Sequence, residues 1–477
     1  MAHRLRLTIS LFLLALLLSC QTGALPSAVP PSATPTALQP GPTLPSITLA
    51  PTAIATVTPT PIATLPPQEL NGQTIEFWHP WPGAAAIQAQ AMAEEFNASN
   101  PWGIRVQVRA LGGNAALSDA AALALATGTA PDLIASTPDQ INAWQKAGIP
   151  LVNLTPYLQD PTWGLSAAQQ AEFYPTFWLE NSNETGQWSV PALRTARVIY
   201  YNQTWANELG FPNPPRTPKE FRNIACASAR SLRLDANPDN DGLGGWVLDS
   251  DALTLLGWLW AFDWQGIPAT DNQTYTFQSS QAQAAFEFWR GLLDQNCAWV
   301  NRSVTPNQAF ANRQAILFTG EAGDLSLQSR LMARANNQDA WVILPFPTQA
   351  QTSLLLTHGQ SYALFASTPP RQLAAWAFTR WMLETSQHAR LAQAADGLPL
   401  SHSAWELLST VRSTQTAWQP LMQSLEAARP APALASWRTV RHLLEDAAWQ
   451  LRQPYSSQEK IPAILQQLDA MSQEVQP

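Results

Sequence analysis

Residues 127–136 read Thr127-Gly128-Thr129-Ala130-Pro131-Asp132-Leu133-Ile134-Ala135-Ser136 (TGTAPDLIAS). An alanine-rich stretch, Ala115 to Ala126, runs into this segment and has the composition of a helix. Gly128 ends it, Pro131 prevents its continuation, and the apolar run from Leu133 starts a buried parallel strand. Asp132 opens that strand as a turn-capping residue. Working backward, Ile104, Val106 and Val108 alternate as a strand. Ala84 to Asn97 reads as a helix with Ile87, Met92 and Phe96 available for one face. Thr74 to Trp78 is a short strand. Strand and helix alternate throughout, which predicts an α/β sheet with crossover connections.

The ends of the chain carry different information. Arg4 and Arg6 precede the apolar run Ile9 to Leu18, which is too short to span a membrane comfortably. It ends in Leu17-Leu18-Ser19-Cys20, which resembles the lipobox of bacterial lipoproteins. That resemblance implies a signal peptide over 1–19 and a diacylglyceryl group on Cys20. Residues 20–68 contain no charge after Cys20 and are dominated by Pro, Thr, Ala and Ser, as in TPTPIATLPP. Such a segment buries too little apolar surface to offset its chain entropy. Its proline content makes it an extended stalk reaching on the order of 150 Å.

About 410 residues follow the stalk, more than one ordinary core holds, so two lobes are expected. The net charge of -8 and the absence of a basic run exclude nucleic acid as a partner. Beyond Cys20, only Cys226 and Cys297 remain, too few for a zinc cage. In an exported protein such a pair suggests a disulfide, with two buried free thiols as the alternative. Asp235 to Gly242 (DANPDNDG) alternates acidic and amide residues like the start of a calcium loop. Asn240 and Trp246 stand where that loop needs Gly and Glu, so a polar turn with Asx bonds fits better. No metal or cofactor is expected.

The ordered set of segments resembles a family. After APDLI come GQWSVPALRTARVIYYN, PPRTPKEF, FTGEAGDLS, THGQSYALFAS and GLPL. Over residues 70 to 477 this order is similar to the extracellular solute-binding proteins of family 1, the maltose-binding-like components of ABC importers. The resemblance implies a two-lobe α/β fold of the type II periplasmic-binding-protein kind, with hinge crossings and a central ligand cleft. It places lobe 1 at 69–197 and 362–398 and lobe 2 at 198–358 and 402–477. Arg197 to Asn202 would be the first hinge crossing. The implied partners are a small solute, ABC permease subunits and, through the lipid anchor, the extracytoplasmic face of the membrane. The protein is expected to act as a monomer without catalysing a reaction. A sugar is the expected solute, from the aromatic excess of 21 tryptophans and from family habit.

In open α/β sheets, ligands meet the loops beyond the carboxyl ends of the strands. Glu76 to Gly83 (EFWHPWPG) is such a loop, offering Trp78, His79 and Trp81 between the stiffening Pro80 and Pro82. Thr137, Asp139 and Gln140 follow the third strand in the same way. By resemblance, Arg194 and Thr195 reach the ligand from beside the hinge, and Trp437 matches a stacking aromatic. Glu321 and Asp324 face the cleft from the other lobe. Trp258 is a further candidate in WLWAFDW, with Trp260 and Trp264, although that run fits a buried helix equally well.

The rival class is a secreted carbohydrate hydrolase using paired carboxylates such as Asp249 and Asp251, or Asp263. Gly359-Gln360-Ser361-Tyr362-Ala363 resembles a nucleophile elbow but lacks its last glycine, and it falls where the family's second hinge runs. A sensor or scaffold without transport partners is a third class. Within the binding class, glycerol phosphates would want a basic cleft and polyamines an acidic one.

Overall fold

The computed structural model describes residues 65–300, 304–412 and 416–475. The signal segment, Cys20 and the stalk up to residue 64 lie outside the described residues. Three strands open the fold: β1 (Thr74–His79), β2 (Arg105–Ala110) and β3 (Leu133–Ser136). They run parallel, with β1 between the other two. The crossovers are helices α1 (Gly83–Ser99) and α2 (Asn114–Thr127). Helix α1 buries Ala85, Ala89, Met92, Ala93 and Phe96, a helical spacing that presses small residues against the sheet. Ile87 does not join them; it is 74% exposed, because it lies two residues from Ala85 and so on the opposite side. Gly128 takes a left-handed conformation (φ 69°) and its N–H closes the end of α2, as the punctuation in TGTAPDL requires. Asp132 does more than cap a turn. Its carboxylate accepts from the Glu76 N–H at 3.0 Å and pairs with Arg371 at 2.6 Å, tying β1 to a distant helix.

The remaining strands of the sheet are β4 (Val190–Asn202), β5 (Trp246–Leu248), β6 (Ala298–Val300), β7 (Leu317–Glu321), β8 (Trp341–Leu344), β9 (Leu356–Leu364) and β10 (Arg429–Pro430). The order is β2-β1-β3-β9-β4-β7-β5-β6, with β8 on β4 and β10 on β9. One flank is thus β2-β1-β3 and the other β7-β5-β6. Two long antiparallel strands join them. β9 pairs with β3 through Ser361–Leu364 and with β4 through Leu356–Tyr362. β4 continues past β9 to pair with β7 and β8. Both segments read as hinge crossings therefore form one ladder.

Gly359 shows how closely this ladder is packed. A Cβ there would sit 2.1 Å from the Leu193 carbonyl oxygen and 2.9 Å from the Arg194 Cα. The register shifts immediately afterwards, between Gln360 and Ser361. Gly359→Ala has to part β4 from β9, and overpacking of this kind costs ~1–3 kcal/mol. Urea unfolding of the variant measures the loss; an unchanged midpoint would mean that the crossing is not close-packed.

The other helices used below are α3 (Pro138–Lys146), α4 (Pro218–Arg233), α5 (Ala252–Ala261), α6 (Ser280–Asp294) and α7 (Trp437–Leu451). Helix α4 starts with a capping box: Thr217 accepts from the Glu220 N–H and Glu220 accepts in return from the Thr217 N–H, with Pro218 at the first helical position. Cys226 on α4 is joined by a disulfide to Cys297, which lies just past α6. Asp235 accepts from the Asn237 N–H and Asn237 from the Asp239 N–H, two successive Asx turns in the DANPDNDG loop. None of the described helices is long and apolar enough to cross a membrane.

Candidate functional site

The face of the hinge ladder organises the site. Thr195 lies opposite His358 across β4 and β9, and Arg197 lies opposite Glu321 across β4 and β7. Alternate residues of a strand share a face, and opposed residues of a ladder share it too. Thr195, Arg197, His358 and Glu321 therefore project to the same side. Two neighbouring cavities open there, and Glu321 lines both. The first is a partly open chamber of about 160 Å³; the second is a wider, more open cleft of about 950 Å³.

The chamber is assembled from both flanks. Thr137 and Asp139 come from the start of α3, Asn114 from the start of α2 and Glu180 from the end of a short helix, Pro175–Leu179. Asp251 precedes α5, Glu321 ends β7 and His358 lies on β9. Trp437, Arg441 and Glu445 lie one turn apart along α7, so a single helix face presents an indole, a guanidinium and a carboxylate. The open cleft is lined by Trp81, Thr195, Glu321 and Asp324, with Arg330, Arg390 and Asp396.

The charges around the chamber are organised by Arg197. Its guanidinium pairs with Asp249, with Glu321 at 3.1 Å and with Asp251 at 4.0 Å, and donates to the Thr254 hydroxyl at 2.9 Å. Burial works against the charge of Arg197, but the three carboxylates outweigh it and hold the group protonated. Glu321 receives a second partner, the His358 Nε2 at 2.8 Å. Burial opposes its ionisation as well; His358 and Arg197 overcome it and bring the carboxyl down to about 2. Asp139 behaves differently. Burial raises its pKa, against a hydrogen bond from Thr137 and the distant pull of Arg441.

Several residues expected at the cleft are elsewhere. Trp78 is 5% exposed and packs with Leu117, Ile134 and Trp144, with Arg109 over its ring at 4.6 Å. His79 is fully buried: its Nδ1 accepts from the Trp81 N–H at 3.2 Å and its ring stacks on Trp81 at 4.7 Å. The two prolines that were to present these rings turn them inward instead. Gln140 is buried against Ser118, and Trp258 sits in the core among Phe221, Trp246, Phe288 and Phe346. Arg194 is 1% exposed and fully engaged. It pairs with Glu180 and donates to the carbonyls of Leu193 and Gln360 and to the Ser361 hydroxyl. These contacts tie β4 to β9 and leave the guanidinium 1% exposed. Trp81 is largely buried too, with its Nε1 donating to Gln360 Oε1 at 3.0 Å, but one edge meets the open cleft.

Sequence reasoning missed Asn114, Glu180, Asp251, His358, Arg441 and Glu445 as lining residues. Arg441 and Glu445 were within reach, being four and eight residues beyond Trp437 on one helix face. Glu180 had no such signal, since only the tertiary fold brings Pro175–Leu179 to the hinge.

Burial of two imidazoles has a consequence for pH. His79 and His388 are both lowered by burial to about 4. Between that value and the unfolded value near 6.5 the unfolded chain binds more protons. The contribution of these rings is thus complete above about pH 6.5 and is lost as the pH falls toward 4, by ~3 kcal/mol for each ring. Urea midpoints at pH 7 and 4.5 measure it. His388→Gln should lose less stability on acidification than the parent chain; equal losses would contradict the assignment.

A mixed sheet has its two flanks joined by paired crossing strands, with a partly open polar chamber on the crossing. The family profile of bacterial extracellular solute-binding proteins matches residues 91–415. The chain belongs to that family, which is one of binding proteins rather than enzymes. Solved structures with the same fold include the cyclic α-maltosyl-1,6-maltose binding protein of Arthrobacter globiformis, at 18% identity and a TM-score of 0.68, covering 84% of this chain and 98% of that one. The sugar-binding protein MalE of Xanthomonas citri follows at 18% identity and a TM-score of 0.71, covering 84% and 97%. UgpB of Mycobacterium tuberculosis, solved with glycerophosphocholine, has 16% identity and a TM-score of 0.68, covering 84% and 98%. These likenesses identify the two-lobe periplasmic-binding-protein fold. A comparison with curated protein sequences returned no match.

Proposed function

We propose that this protein is the solute-capturing component of an ABC importer and that it holds a mono- or oligosaccharide in the chamber at the hinge ladder. The observation that carries this is the face of α7. Trp437 is 2% exposed and belongs to the core, but it lines the chamber and offers apolar surface there for a pyranose, and Arg441 and Glu445 beside it supply hydrogen bonds to hydroxyls. Asn114, Thr137, Asp139 and Glu180 add partners from the opposite flank. A buried site built on hydroxyl bonds discriminates strongly, because an unmatched polar group is left without a partner. Structural relatives that bind sugars support the reading.

In this reading lobe 1 comprises 69–197 with 362–398 and lobe 2 comprises 198–358 with 402–477. They close on the solute about β4 and β9, and a membrane permease receives it from the closed form. Signal peptide 1–19 directs export and is removed, and a lipid on Cys20 with a stalk over 20–68 holds the monomer on the extracytoplasmic face of the membrane. The solute leaves unaltered. Asp249, one of the imagined hydrolytic carboxylates, is occupied by Arg197.

A thermal-shift screen of the full-length protein against neutral sugars, glycerol phosphates and polyamines tests the proposal, with chromatography of each sugar after incubation. A sugar that raises the melting temperature and is recovered intact supports it. Stabilisation by a phosphate ester alone overturns the sugar assignment, and a cleaved sugar overturns the carrier.

A further inference from the structure

The chamber holds more negative charge than hydroxyl recognition requires. Asp139, Glu180, Asp251, Glu321 and Glu445 line it, whereas Arg441 and His358 are its only lining residues able to carry a positive charge. Behind the wall, Arg194 is taken by Glu180, and Arg197 is divided among Asp249, Asp251 and Glu321. Three guanidiniums and two imidazoles, His358 and the His442 that pairs with Glu445 at 3.0 Å, thus serve six carboxylates. Arg441 sits 3.7 Å from Glu445 on its own helix. Asp139 forms no ion pair among the described residues. Burial pushes its carboxyl above the ordinary range, against the local polar groups at the start of α3 and the attraction of Arg441.

A partly buried carboxylate without a paired counter-charge is satisfied best by a cation that arrives with the ligand, through a charge-assisted hydrogen bond. The indole of Trp437 reinforces the same preference, since its face attracts cations as well as the C–H face of a sugar ring. An anionic solute meets the reverse situation: it adds a negative charge to an enclosure that already has a surplus.

Resting on the reading of this chamber as the solute site, we infer that the solute is an amine-bearing sugar, with its protonated amine held by the Asp139 carboxylate and its ring against Trp437.

Isothermal titration of the full-length protein with glucosamine, glucose, glucose 6-phosphate and spermidine tests this. Glucosamine should bind at least about tenfold tighter than glucose, a difference of about 1.4 kcal/mol. The preference should shrink as salt is raised. Asp139→Asn should reduce the glucosamine-to-glucose ratio to about one, with circular dichroism confirming that the variant is folded. Equal binding of glucose and glucosamine overturns the amine assignment and leaves the sugar reading intact. Preference for glucose 6-phosphate overturns it too. Tighter binding of spermidine than of glucosamine overturns the sugar ring and, with it, the proposed function. Failure of all four to bind overturns the amine assignment, and the thermal-shift screen decides the function separately. A ratio unchanged in folded Asp139→Asn overturns the role of that carboxylate.

Discussion

Arg194→Met should lower the unfolding free energy by ~3–5 kcal/mol, the loss that follows when one partner of a buried ion pair is removed. Both partners are enclosed: the side chains of Arg194 and Glu180 are 1% and 6% exposed. Methionine keeps much of the volume and removes every donor. Glu180 is then left buried without its cation, in a setting where burial already raises its pKa. The carbonyls of Leu193 and Gln360 and the Ser361 hydroxyl lose a donor at the same time. Because these groups lie on β4 and β9, the damage falls on the ladder that joins the two flanks. The double variant Arg194→Met, Glu180→Leu should recover part of the loss, since a pair replaced by apolar residues no longer strands a charge. Urea unfolding of both variants decides the matter. A single variant as stable as the parent, or a double variant that recovers nothing, would show that the pair does not stabilise the crossing.

Trp437→Leu should weaken binding of the captured solute by ~30- to 1000-fold, or ~2–4 kcal/mol, the range of a central aromatic anchor. Leucine is chosen because Trp437 also belongs to the core, where it packs near Val440 and Leu444, and an alanine would open a cavity there. The loss should therefore appear in affinity far more than in the urea midpoint. Trp260→Leu is the control, a tryptophan of the same core that lines neither cavity. If both substitutions weaken binding equally, the effect is one of general packing and Trp437 has no special place.

Much of the fold was legible because local rules and the tertiary structure agree. Gly128 and Pro131 mark a helix end and a strand start at the positions where both occur. The Thr217-Pro218-Glu220 cap is a purely local device and forms as written. The site was harder to read. A strand followed by a rigid aromatic turn has the same sequence whether the rings face a cleft or a core, and Phe77, Tyr362 and Phe378 decide it by packing around the turn. That is why EFWHPWPG folds inward. The burial of Arg194 was illegible for a related reason. Its partner, Glu180, lies fourteen residues earlier in a helix whose approach to the hinge no local pattern announces. Trp437 was legible as an aromatic opening a helix after a proline-rich turn, but its neighbours Arg441 and Glu445 needed the helix to be continued two more turns along one face.

The central claim is that a small molecule is enclosed at the crossing of β4 and β9, between Trp437 on one side and Asp139 and Glu180 on the other. The most direct measurement is a crystal structure of the full folded region soaked with the tightest-binding sugar from the titrations. The account predicts density for an intact ring stacked on Trp437 inside the chamber, with its polar groups within hydrogen-bond distance of Asp139 and Arg441. Density in the open cleft beside Trp81 with an empty chamber, or a cleaved sugar in either place, would contradict it.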